Sequence, residues 1–269
     1  MKKPFTNSFA FGSLFREMTY PAGEPHIQLG RLAESQITPG EHLLVHCSRI
    51  RDFNGLCQIL TGNDILERNG ITATWFIPYF PFGRHDRRNH SYDGFELGVA
   101  LDIIKDLDVV TMDPHSDVLG QLKHIPQSEV VRLYWDFYSA YEFGPDNNVV
   151  FVIPDAGATK KAMTWMGDRE FVQCYKERDP KTGELSNFRV GDFNLLNRDC
   201  VIVDDICDGG GTFIGLAKEL RVRGAKSVSL FVSHGLFTKG TDQLYEHLDF
   251  IFAPQQFHMG SIFKEAKTI

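Results

Sequence analysis

Val201-Ile-Val-Asp-Asp-Ile-Cys-Asp-Gly-Gly-Gly-Thr212 is the stretch that decides the fold. It opens with apolar, β-branched residues, as a strand buried on both faces does. Three carboxylates follow, then three glycines and a threonine, then an apolar helical pattern that ends before Gly224, a good C-cap. Strand, glycine turn and helix in succession are half of a βαβ unit. Carboxylates at a strand's C-terminal end can hold sugar hydroxyls or a hydrated Mg²⁺. A glycine turn opening a helix points backbone N–H groups at a phosphate. One short segment therefore offers a seat for a ribose carrying a phosphate.

The same grammar extends in both directions. Short apolar runs at His42–Cys47, Ala73–Phe80, Asp108–Asp113, Val149–Pro154, Cys200–Asp204, Ser227–Ser233 and Phe250–Ala253 read as buried strands. Helical patterns over Asn54–Arg68, Phe95–Leu107 and Thr212–Arg223 alternate with them. The expected fold class is α/β, with mainly parallel sheets flanked by helices. Ligands of such sheets bind beyond the strand C-termini, and the chemically rich stretches lie there. A polar, turn-prone stretch at Gly144–Asn148 predicts two domains, 1–145 and 146–269. Lys176 to Asp192 is polar, with Pro180 and Gly183, and reads as a long exposed loop.

Composition narrows the class. The 269 residues are 42% apolar with a net charge of −7, which argues against nucleic acid as a partner, since that footprint is usually basic. Five cysteines without C-x-x-C spacing make a zinc site improbable and fit free thiols in a reducing compartment. No stretch approaches the roughly 18 apolar residues of a membrane span. The first residues lack the apolar run of a signal peptide. The expectation is a cytoplasmic protein with no membrane partner.

Other stretches carry chemistry. Pro78-Tyr-Phe-Pro-Phe-Gly-Arg-His-Asp-Arg-Arg-Asn89 follows a strand with three arginines and a histidine, a set able to clamp a polyphosphate or to be a solvated basic loop. Asp113-Pro-His115 places a histidine where it can touch a phosphate oxygen or a metal's water shell. Asp155-Ala-Gly-Ala-Thr-Lys-Lys161 could seat a second anion or a metal. Lys176-Glu-Arg178 could close over a transferring phosphoryl group, or be ordinary surface charge.

Together these runs resemble the ribose-phosphate pyrophosphokinases, the 5-phosphoribosyl-1-diphosphate (PRPP) synthetases, in one order from about Tyr20 onward. Tyr20-Pro-Ala-Gly-Glu24 is similar to the family's Phe-x-Asp-Gly-Glu, and Ile77 to Arg87 to Ile-Pro-Tyr-x-x-Tyr-Ala-Arg-Gln-Asp-Arg/Lys. Asp113-Pro-His115 resembles Asp-Leu-His, and Pro154-Asp-Ala-Gly-Ala158 resembles Pro-Asp-x-Gly-Gly. Tyr175-Lys-Glu-Arg178 resembles Asp-Lys-Arg-Arg, and Val203 to Thr212 resembles Ile-Asp-Asp-Ile-x-Asp-Thr-Ala-Gly-Thr.

The resemblance implies two phosphoribosyltransferase-like domains and Mg²⁺-dependent transfer of the β,γ-diphosphate of ATP to ribose 5-phosphate. It implies homo-oligomers, dimers or hexamers, whose ATP sites borrow from a neighbouring subunit. By residue, it implies ATP at Tyr20, Glu24, Arg84, His85, Asp86 and His115. The ribose phosphate falls to Asp204, Asp205, Asp208, Gly209, Gly210, Gly211 and Thr212. Metal binding falls to His115 and Asp155, and catalysis to Lys176 and Arg178.

The chain departs from the family pattern at several points. Ala22 stands for an acid, His85 for glutamine, and Gly209-Gly210 for Thr-Ala; Asn89 to Gly98 lacks Arg-x-Pro-Ile. Two lost side chains imply a roomier phosphate loop, and hence a larger acceptor such as ADP-ribose as an alternative. Two other readings are a phosphoribosyltransferase and a non-catalytic regulatory subunit. The first has no need of the Arg84 segment, and the second has no need of Lys176 and Arg178.

Overall fold

The computed structural model describes residues 4–88, 90–132, 148–178 and 185–254, with the backbone alone at 32, 176–178 and 185–187. The chain divides into two compact units, one running to Ile125 and one starting at Pro126. The turn-prone residues 144–147 lie outside the described residues.

In the first unit, β1 (Asn7–Ala10) leads into a hairpin of β2 (Phe15–Thr19) and β3 (Pro25–Leu29). Then come β4 (His42–His46), β5 (Thr72–Ile77), β6 (Val109–Met112) and β7 (Lys123–Ile125). The main sheet has the order β1-β4-β5-β6-β7, and every pair is parallel. The helix Phe53–Arg68 packs on it through Leu56, Ile59 and Leu66, all fully buried. Asp52 starts this helix: its Oδ1 accepts the Gly55 N–H at 2.8 Å. Gly62 is small for a packing reason, since a Cβ there would stand 3.0 Å from the Phe15 ring and 3.1 Å from Trp75. Those two rings stack, and the indole N–H donates to Asn63 Oδ1.

In the second unit, β8 (Val149–Ile153), β9 (Phe171–Arg178), β10 (Leu185–Val190), β11 (Asp199–Cys207), β12 (Ser227–Gly235) and β13 (Phe250–Phe252) form one sheet. Its order is β10-β9-β8-β11-β12-β13, parallel throughout except for β9 with β10. The chain steps outward from β8 to β10 and then returns to lay β11 on the other side of β8. The gap outside the C-terminal ends of β8 and β11 is therefore a topological switch point, where open α/β sheets bind ligands. The helix Gly211–Val222 follows β11 and buries Phe213, Leu216, Ala217 and Leu220.

The α/β reading holds in both units. One expectation needs correction. Lys176 to Asp192 is not simply a loop: it holds the end of β9 and all of β10, paired antiparallel with Val190 opposite Cys174 and Phe188 opposite Lys176. An antiparallel ribbon at a sheet edge keeps one face in water, so its sequence reads polar. β11 also runs on past Asp204 to Cys207. Among the described residues, no helix is long and apolar enough to cross a membrane.

Candidate active site

The acidic–glycine run sits at the switch point. Asp204 and Asp205 lie on the last turns of β11, one half-buried and the other 8% exposed. The Asp205 N–H donates to Asp204 Oδ1 at 2.9 Å, which orients the first carboxylate. Lys161 Nζ donates to Asp205 Oδ2 at 2.9 Å and balances its charge. Lys161 comes from the helix Ala156–Ala162 that follows β8, so the pair bridges the two strands that flank the switch.

Asp208 is held from the loop after β12. Thr238 Oγ1 donates to Asp208 Oδ1 at 2.6 Å, and the Thr238 N–H donates to the Asp208 carbonyl. Gly210 then turns the chain into the helix with φ 79°, a conformation that favours glycine. A Cβ there would also stand 2.8 Å from Leu244. No side chain caps this helix, so its first N–H groups are left for an outside acceptor. At Gly211 a Cβ would meet nothing within 4 Å, and at Gly209 only the Lys239 stem at 3.4 Å. The loop is thus bare at Gly209 and Gly211. At Gly210 the expected extra room is absent, because Leu244 fills it and the backbone requires glycine.

Asp155 stands just outside β8 and N-caps the Ala156–Ala162 helix, its Oδ1 accepting the Ala158 N–H at 3.0 Å. Among the described residues, no group of three or more His, Cys, Asp or Glu side chains could hold a metal ion. Asp155, Asp204 and Asp205 are carboxylates, the donor type of which Mg²⁺ takes one or two beside waters and substrate phosphates.

Lys176 and Arg178 lie on β9, opposite Phe188 and Leu185 of β10. The backbone thus carries both cationic positions on the edge ribbon of the same sheet. Their side chains lie outside the described residues.

In the first unit, the Arg84 segment follows β5 and is pinned from behind. The Thr111 hydroxyl and the Met112 N–H both donate to the Pro78 carbonyl. Phe82 has φ 63° and stacks on Phe53 at 4.3 Å between centroids. A Cβ at Gly83 would stand 2.8 Å from Leu119 and 4.0 Å from the His115 Cβ. The Arg84 and His115 loops therefore pack together outside β5 and β6. Arg84, His85 and His115 are exposed, while Asp113 is 1% exposed with φ 37°. His85 Nδ1 lies 3.5 Å from Glu96 Oε2, and Asp86 pairs with Arg87.

Tyr20 and Glu24 are elsewhere. They close the turn of the β2–β3 hairpin, where the Tyr20 N–H donates to the Glu24 carbonyl and Gly23 has φ 90°. Both are exposed. Sequence reasoning also passed over Arg51, between β4 and the Phe53–Arg68 helix. Its guanidinium lies over the Tyr79 ring, 5.5 Å from the centroid.

Known proteins resemble this chain in sequence. A ribose-phosphate pyrophosphokinase of Ureaplasma parvum is 29% identical over 217 residues, 77% of this chain and 64% of the relative. One from Mycobacterium tuberculosis is 30% identical over 192 residues, 65% of this chain and 56% of the relative.

The chain is similar to ribose-phosphate pyrophosphokinases over most of its length.

No family model matches it, and it spans between half and two thirds of the length of the curated relatives it matches. The fold is shared with a solved structure: a phosphoribosylpyrophosphate synthetase of Mycobacterium smegmatis superposes with a TM-score of 0.69 at 20% identity, covering 97% of this chain and 98% of that one. The relatives are enzymes by name, and the name states the substrate class, a ribose phosphate.

Proposed function

We propose that this chain transfers the β,γ-diphosphate of ATP to the anomeric hydroxyl of ribose 5-phosphate, giving PRPP and AMP. One observation carries the reading: Asp155 follows β8, Asp204 and Asp205 lie near the end of the paired β11, and the helix after β11 has no side-chain cap. Asp204, Asp205 and Asp208 accept the ribose hydroxyls. The N–H groups from Gly209 to Thr212 take the 5-phosphate. Arg84 and His115 hold the ATP phosphates, with His85 and Asp86 beside them. Tyr20 and Glu24, on an exposed hairpin, serve the adenine site of a neighbouring copy in a homo-oligomer.

The anomeric oxygen attacks the β-phosphorus as the bond from that phosphorus to the α,β-bridging oxygen breaks. AMP leaves and the hydroxyl proton passes to water. Little covalent chemistry is asked of the protein; positioning and charge stabilisation suffice. Lys176 and Arg178 neutralise the charge that develops on the transferring group. His115 in the first unit and Asp155 in the second are the residues that would hold Mg²⁺, which would supply charge neutralisation on the phosphates. The working compartment is the cytoplasm.

A larger acceptor, ADP-ribose, is a second reading. Gly209 favours it, because only the Lys239 stem lies over that bare position, and a cation there would meet the extra charge of a diphosphate ester.

Product analysis by ³¹P NMR with Mg-ATP and either acceptor tests both. AMP with PRPP supports the first reading; AMP with a diphosphorylated ADP-ribose supports the second. No AMP with either acceptor overturns both and favours a regulatory subunit. Lys176→Ala should lower kcat by about 100-fold or more while ATP affinity stays nearly unchanged. Equal losses in the two would remove Lys176 from the transition state.

A further inference from the structure

Arg51 differs in setting from five arginines that form ion pairs. Arg68, Arg132, Arg198, Arg221 and Arg223 each close on a carboxylate. Arg51 has no carboxylate partner among the described residues. Its Nη1 donates weakly to the Ile50 carbonyl at 3.3 Å, and its plane lies over Tyr79. Partial burial lowers its pKa and Tyr79 offsets part of that, so it remains a cation at neutral pH. The residue as a whole is nonetheless exposed, so its guanidinium is open to an anion from solution.

Its place in the fold names the ligand. Tyr79 belongs to the segment that leads from β5 to Arg84. Next to Arg51, Phe53 stacks on Phe82 of that same segment, and Gly83 packs against Leu119 and His115. Two ring contacts thus join the loop after β4 to the loop after β5, and the glycine joins the latter to the loop after β6. Asp52 holds Arg51 from the other side by capping the helix. The three loops leave the C-terminal ends of adjacent parallel strands, since His46 pairs with Phe76 and Ile77 with Thr111.

We propose that Arg51 is a polyphosphate-binding residue that grips the non-transferred or transferred phosphates of the nucleoside triphosphate from the β4 side, opposite His115. This rests on the reading of the first unit as the nucleotide side. A guanidinium stacked on a ring keeps its N–H edge presented in one plane, which suits two phosphate oxygens at once. It binds phosphate and leaves the base untouched.

Isothermal titration of the full chain with ATP, with inorganic tripolyphosphate and with AMP tests this. Arg51→Met should weaken ATP and tripolyphosphate about tenfold or more, the loss of a charge-assisted hydrogen bond, and leave AMP within about twofold. Arg68→Met, at the far end of the same helix, should change none of the three. Arg51→Lys, which keeps the charge but loses the planar fork, should lose about threefold for ATP, and it decides the matter should the Met variant unfold. Unchanged ATP affinity, or parallel losses for ATP and AMP, would overturn the assignment. A wild-type chain that bound no ATP would instead bring down the diphosphokinase reading itself, and this inference with it.

Discussion

In the second unit the loops outside the sheet are tied by polar clasps: Thr238 on Asp208, Lys161 on Asp205, and a backbone N–H on Asp204. In the first unit the loops at the same strand ends are tied by rings and a close-packed glycine: Phe53 on Phe82, Arg51 over Tyr79, Gly83 against Leu119. In the proposed function the two sets of loops have different tasks, and the materials differ accordingly. Carboxylates that must meet particular hydroxyls need their lone pairs aimed, and hydrogen bonds aim them. Cations that meet a spread polyphosphate need reach more than aim, so their loop is anchored from below by apolar contact while Arg84 and His85 stay exposed.

The largest way to separate the two units is alkali. Cys174, Cys200 and Cys207 are buried in the second unit, and burial pushes them up to about 12, 11 and 12. The first unit buries Cys47, also pushed up, and exposes Cys57. Raised folded values mean that unfolding releases protons above the ordinary thiol range. Stability from these groups is intact below about pH 9 and falls above it, by about 1.4 kcal/mol per thiol per pH unit. Hydrogen exchange corrected for intrinsic rate, at pH 8 and pH 10, should show the second unit losing more protection than the first. Equal loss would break the contrast.

A smaller effect tests the polar clasp. Lys161→Met removes the ammonium that donates to the buried Asp205 carboxylate. The second unit should lose about 2 to 3 kcal/mol in urea unfolding, less than for a fully buried pair because Lys161 is partly exposed. A double variant with Asp205→Asn should recover part of that. The smallest effect is expected at the turn. Gly210→Ala places a methyl at positive φ against Leu244 and should cost about 1 to 2 kcal/mol. Leu244→Ala in the same chain should relieve the clash but leave the conformational share, and a fully additive pair would show that Leu244 is irrelevant.

Much of this was legible in the sequence. The central strands announced themselves because parallel strands buried on both faces must be continuously apolar, as Val149–Ile153 and Val201–Val203 are. The edge ribbon of β9 and β10 did not, because half of it faces water and its pattern imitates a loop. The elements of the first thirty residues are four or five residues long, too short to show a period. In the candidate site, each residue type was readable at its strand end, but the clasps were not. Lys161 reaches Asp205 across 44 positions and Thr238 reaches Asp208 across 30, and no local pattern reports such pairings. Arg51 was overlooked for a related reason: a single arginine between strand and helix looks like ordinary surface until the Tyr79 ring beneath it is seen.

One face of the Phe53–Arg68 helix has a practical corollary. Of five thiols, four are buried and Cys57 alone is exposed, about one turn along from Phe53 and the loop that carries Arg51. A maleimide dye added to the unaltered chain has a single place to react. The molecule therefore arrives with its own attachment point for a fluorophore beside the proposed nucleotide loop, and occupancy there can be followed by emission without engineering a cysteine.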